Sequence, residues 1–123
     1  MAWEPNRCAS RAWQTADRTT RRLGANEALF REVNEAIERG QWPGDEDEQS
    51  AFRCECARRD CAELLPLTPR EYERIRANAR RFVLLPGHED PGVETVVART
   101  PDYVVVEKTG VAALEAEATD PRT

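Results

Sequence analysis

The residues able to do chemistry are crowded into one stretch. Three of the four cysteines stand at Cys54, Cys56 and Cys61, in Phe-Arg-Cys-Glu-Cys-Ala-Arg-Arg-Asp-Cys, and the single histidine, His88, lies 27 residues beyond Cys61. In an extended segment residues two apart project to the same side, so Cys54 and Cys56 aim both sulfurs at one point. A turn through Arg58, Arg59 and Asp60 returns Cys61 to that point. Tetrahedral zinc takes four soft or borderline donors, with sulfur about 2.3 Å from the metal. Three thiolates leave one position, and His88, in a Pro-Gly turn after an apolar run, is the expected fourth ligand. Cys8, a carboxylate such as Asp60 or Glu89, or water are its rivals, and only water would open the site to catalysis. Clustered thiols in a reducing compartment argue for coordination rather than disulfides. The mixed Cys and His set suits Zn2+ better than an iron–sulfur cluster.

Three functions follow from such a site. In the first, zinc staples a non-catalytic module that acts in recognition or regulation, meeting nucleic acid or an acidic protein patch through Arg70, Arg74 and Arg81, joined by Arg80, Arg58 and Arg59. The plain alternative is a solvated face, since 17 of the 18 basic residues are Arg, as GC-rich bacterial codon usage readily produces. In the second, Glu89 or Asp90 serves as general base beside a metal-bound water. Against it, the chain has no His-Glu-x-x-His and no phosphate-binding glycine loop. In the third, oxidation of the thiols expels zinc and loosens the fold, a redox sensor.

Cys54-x-Cys56-x4-Cys61 resembles the zinc knuckle of post-SET segments, where three cysteines at this spacing share a metal with a fourth ligand from elsewhere. The likeness covers eight residues, and nothing here resembles the methyltransferase domain that precedes that knuckle. Residues 52–108, with Leu-Thr-Pro-Arg-Glu-Tyr-Glu, Arg-Phe-Val-Leu-Leu-Pro-Gly-His-Glu-Asp-Pro and Tyr-Val-Val-Val-Glu-Lys, resemble small uncharacterised zinc-motif proteins of high-GC bacteria. That resemblance implies a shared fold and site without an activity.

The elements that must position these residues are modest. The 123 residues suffice for one domain, and Leu, Ile, Val and Phe number only 22, of which residues 1–25 hold Leu23 alone. The expected domain is therefore 26–109, between a mobile arm over 1–25 and a C-terminal tail over 110–123. With net charge −5 the molecule is no general polyanion binder. No long apolar run and no secretory layout is present, so a cytoplasmic location without membrane contact is expected. Small domains with so lean an interior often add a staple, and structural zinc couples its binding energy to folding. Three thiolates and a neutral imidazole around Zn2+ sum to −1, which Arg53, Arg58 and Arg59 could balance.

Leu29, Phe30, Val33, Ala36 and Ile37 form a helical stripe over 27–39, capped by Asn26 and stopped by Gly40. On the opposite face Glu27 with Arg31 and Glu35 with Arg39 make solvated pairs four residues apart. Residues 41–50, with the acidic run Asp45 to Glu48, form a linker. Thr68-Pro69-Arg70-Glu71 opens a second helix as a capping box, with Leu67 and Tyr72 as staple. Tyr72, Ile75, Ala79 and Phe82 line one side of that helix, and Arg70, Arg74 and Arg81 the other. Phe82 to Leu85 reads as a buried strand paired with Tyr103 to Lys108. Between them Asp90 and Pro91 start a short helix carrying Val93, Val96 and Val97, a segment that would serve equally as a strand. The result is a small zinc-stapled α+β domain, a short sheet packed with two or three helices.

Overall fold

The computed structural model describes residues 7–58 and 60–122, with side chains from residue 24 onward. Its elements in chain order are α1 (Arg7–Gln41), β1 (Ser50–Arg53), β2 (Leu64–Leu67), α2 (Pro69–Arg76), β3 (Arg81–Leu84), β4 (Glu94–Arg99), β5 (Val104–Lys108) and α3 (Gly110–Ala118). The fold is α+β. β1 and β2 form an antiparallel hairpin, and the second sheet is antiparallel in the order β3-β5-β4. Among the described residues no helix is long and apolar enough to cross a membrane.

β5 is central because its β-branched run, Val104 to Val106, is buried on both sides. It pairs with β3 through Phe82↔Val106 and Leu84↔Val104, the pairing expected from the sequence. The segment from Asp90 does not form the short helix: from Glu94 to Arg99 it is strand β4, laid on β5 with a bulge between Val96 and Ala98. An open edge of β5 offers backbone hydrogen bonds along its length, whereas a lone helical turn would leave that edge unpaired.

Thr68 caps α2, accepting from the Glu71 N–H at 3.0 Å, with Pro69 at the first position. The helix ends at Arg76, short of Ala79 and Phe82, so the stripe expected through those residues is divided between α2 and β3. Phe52 of β1 stacks on Tyr72 of α2 with ring centroids 4.7 Å apart, joining hairpin and helix inside the core.

α1 departs furthest from expectation. It starts at Arg7 rather than near residue 27, and Asn26 lies inside it, where its Nδ2 donates to the Ala57 carbonyl. The apolar stripe is only partly buried: Phe30 is buried and Ile37 packs against the core, but Leu29 is 55% and Val33 39% exposed. Buried beside Phe30 are the polar Glu27, Arg31, Asn34, Glu35 and Glu38. Neither predicted surface pair forms among them. Glu27 meets Lys108, and Glu35 meets Arg76 at 2.7 Å and Arg122 at 2.8 Å. Burial of these charges is tolerated because each finds an opposite charge or a carbonyl.

The segment from residue 110 packs back on the domain. Ala116 of α3 enters the core, Asp120 meets Arg76, and Arg122 spans Glu35, Glu38 and Glu73. Arg31 bonds the carbonyls of Ala79 at 2.7 Å and Ala116 at 2.8 Å, with its guanidinium 4.3 Å from the centre of the Phe82 ring.

Candidate metal centre

The thiol loop begins where hairpin geometry still holds. The Cys54 N–H donates to the Glu63 carbonyl at 3.0 Å, one rung beyond the Arg53↔Leu64 pair, so the backbone is extended as Cys54 leaves β1. Alternation puts the Cys54 and Cys56 side chains on one side and Glu55 on the other. The Cys61 N–H then donates to the Arg58 carbonyl at 3.1 Å, closing the turn that returns the third thiol.

Glu55 docks this loop on the domain. Its N–H donates to the Val83 carbonyl at 2.8 Å, while the Val83 N–H donates to Glu55 Oε1 at 3.0 Å. Its Oε2 accepts from Asn34 Nδ2 of α1 at 2.9 Å and from the Tyr72 hydroxyl of α2 at 2.6 Å. Asn34 also brackets Arg53, accepting from its N–H at 2.7 Å and donating to its carbonyl at 2.8 Å. Full burial pushes the Glu55 carboxyl up, and the Tyr72, Asn34 and Val83 donors pull it down.

His88 arrives from the other side. β3 leads into a tight turn in which the His88 N–H donates to the Leu85 carbonyl at 3.0 Å and Gly87 takes φ +93°, a conformation that favours glycine. The turn aims the imidazole at the sulfurs: Nδ1 is 3.7 Å from Cys54 Sγ and 3.6 Å from Cys61 Sγ. The ligating atoms of Cys54, Cys56, Cys61 and His88 all lie within 4.8 Å of one another, the three cysteines buried and His88 half-buried. In a tetrahedral complex with sulfur at about 2.3 Å and nitrogen at about 2.05 Å, the sulfur–nitrogen edge is about 3.6 Å. The observed separations fit that edge, and four N/S donors converging inside a core are what a metal ion requires. The Leu85 N–H donates to Cys54 Sγ at 3.1 Å, supporting that sulfur from behind as donors around ligating thiolates do.

The Cys56 thiol is drawn down to about 4, chiefly by the hydrogen bond from Cys54, which is itself pushed far up by that partner and by burial. Burial pushes Cys61 up as well.

The other predicted residues are dispersed. Arg70 pairs with Asp47 at 2.7 Å on the loop after α1, and its guanidinium lies over the Trp42 ring. Arg74 is exposed on α2, whereas Arg81 belongs to β3 and pairs with Glu107 at 3.2 Å, so the three do not line one helix face. Arg80 pairs with Glu117. Arg53 donates to the Cys61 carbonyl at 3.0 Å and stacks over Phe30, serving the loop backbone. Glu89 accepts from the Gly87 N–H and pairs with Arg99, and backbone donors hold its carboxyl below the usual range. Asp90 accepts from the Gly92 N–H. Asp90 thus bonds within its own loop and Glu89 also reaches Arg99 of β4, and both line a cavity beside Cys56 and His88. Arg59 and the Cys8 side chain lie outside the described residues.

Strand alternation alone places Glu55 opposite the thiols, but Asn34 and Tyr72, which hold it, carry no local signal. Comparison with known proteins gave no match: no family model, no curated protein and no solved structure matches this chain.

Proposed function

We propose that the chain is a small zinc-binding module in which Cys54, Cys56, Cys61 and His88 hold a structural Zn2+, and that it acts by recognition or regulation rather than catalysis. The observation that carries this reading is the convergence of four N/S donors in a buried cluster, at separations suited to tetrahedral zinc. A full set of protein ligands leaves no position for water or substrate, which is the pattern of structural sites. Bound there, zinc would offset two of the three thiolate charges and tie the loop after β1 to the turn after β3. The same cysteines and the turn after β3 carry the likeness to the zinc-motif proteins of high-GC bacteria.

The partner would be a protein or a nucleic acid met in the cytoplasm. Of the three arginines at 70, 74 and 81, Arg74 is the one with no carboxylate pair among the described contacts, which favours a few-contact protein interface over a phosphate-tracking surface.

Element-resolved metal analysis of the purified protein tests the reading. Expected is one equivalent of zinc in the parent and in Cys8→Ala, and loss of tight binding in Cys56→Ser and His88→Ala. Full zinc retention by His88→Ala, or a parent free of zinc after growth in zinc-replete medium, would reject it.

A further inference from the structure

On the far side of Cys56 and His88, between α1, α3 and the β4–β5 ladder, lies a cavity of about 430 Å3. Its inner wall is a charge triad in which the Lys108 ammonium sits between the carboxylates of Glu27 and Glu94. The three side chains are only 4%, 7% and 3% exposed. Burying three ions costs several kcal/mol each before pairing, and well-packed apolar residues would serve stability as well or better. A domain with so few apolar residues gains little from such a triad as packing material.

The charge balance points to a ligand. Two carboxylates face one ammonium in a low-dielectric wall, Lys108 bonding both, and the described lining beyond them carries Glu89 and Asp90 against Arg58. Glu115 adds a further carboxylate to the lining, while Leu84 and Val93 supply apolar surface. The volume falls within the range of small-molecule sites, roughly 300–1,000 Å3. A bare metal ion is a poor occupant, because Lys108 already takes an oxygen from each carboxylate.

We propose that this cavity binds a small organic cation, a primary ammonium on a short hydrocarbon body, with its charge toward Glu27 and Glu94 and its body against Leu84 and Val93. Cys56 and His88 also line the cavity, but the recognition assigned to Glu27 and Glu94 does not depend on which ion the thiol cluster holds.

The test is an NMR titration of the intact, metal-loaded protein at about pH 8, above the value of about 7 to which burial pushes Glu27, with n-butylamine hydrochloride. Sodium butyrate and magnesium chloride serve as the comparison probes. Expected is saturable binding with Kd of about 1 mM or tighter, with the largest amide shifts at Glu27, Val93, Glu94 and Lys108. Glu27→Gln, which keeps shape and removes charge, should weaken it by about tenfold. Should that variant fold poorly, Glu115→Gln on the half-buried rim is expected to weaken binding by a smaller factor while preserving the spectrum. Absence of saturable shifts, equal binding of butyrate, the same shifts with magnesium, or unchanged affinity in the folded variants would each overturn the proposal.

Discussion

The Tyr72 hydroxyl donates to Glu55 Oε2 at 2.6 Å, and Glu55 is the residue between Cys54 and Cys56. A helix more than ten residues downstream thereby grips the middle of the thiol loop. Glu55 satisfies three donors at once, so its loss strands the Tyr72 hydroxyl and the Val83 N–H in the core and leaves Asn34 Nδ2 only its bond to the Arg53 carbonyl. Glu55→Ala is expected to cost about 3–5 kcal/mol, and Tyr72→Phe, which removes one donor, about 1.5–3 kcal/mol. Urea unfolding of the zinc-loaded variants measures both. Equal costs for the two would show that Glu55 is not the hub.

Metal removal follows from the placement of the cluster inside the core rather than on a surface loop. Stripping the ion with a chelator is expected to lower the melting temperature sharply, since binding energy on the order of 10 kcal/mol is coupled to folding in structural zinc sites. Calorimetry before and after verified removal decides the matter, and an unchanged melt would exclude a structural role.

Arg31 is fully buried and makes its hydrogen bonds to two carbonyls, on Ala79 after α2 and Ala116 of α3. Arg31→Lys keeps the charge but cannot span both acceptors, because an ammonium lacks the planar fork. The expected loss is about 2–3 kcal/mol, accompanied by faster amide exchange along Gly110–Ala118. Hydrogen exchange read by mass spectrometry reports it, and α3 protection equal to the parent's would refute the latch.

Burial pushes the Glu27 carboxyl up from 4.5 to about 7, against the pull of Lys108. The folded protein then holds this proton more tightly than the unfolded chain. The associated stability is complete below about pH 4.5 and lost as pH rises through about 7, at most about 3 kcal/mol. Glu27→Gln removes the titration, so its stability is expected to vary less than the parent's between about pH 5 and 8. Parallel curves for the two proteins would assign the pH dependence elsewhere.

Much of the candidate site is legible along the chain because it rests on short-range rules. Alternation points Cys54 and Cys56 together, the Pro-Gly turn presents His88, and the Thr68 capping box starts α2 where it does. The pairing of β3 with β5 is likewise readable, as two apolar runs of similar length seek each other. The segment at Glu94–Arg99 could be written in either period, and only the open edge of β5 made it a strand.

α1 marks the boundary of such reading. Its apolar residues Leu29 and Val33 lie outward while Glu27, Arg31, Asn34 and Glu35 lie inward. Hydrophobicity ranks a helix face by what its residues lose in leaving water, which the sequence alone determines. Whether a charged face is the buried one depends on what stands opposite it. Here that is Lys108, the carbonyls of Ala79 and Ala116, Glu55, and Arg76, all brought in from elsewhere in the chain. The spacing of thiols and imidazole was therefore written in the chain. The polar scaffold that holds them was decided by tertiary structure, because a buried charge becomes affordable only once a distant partner is in place.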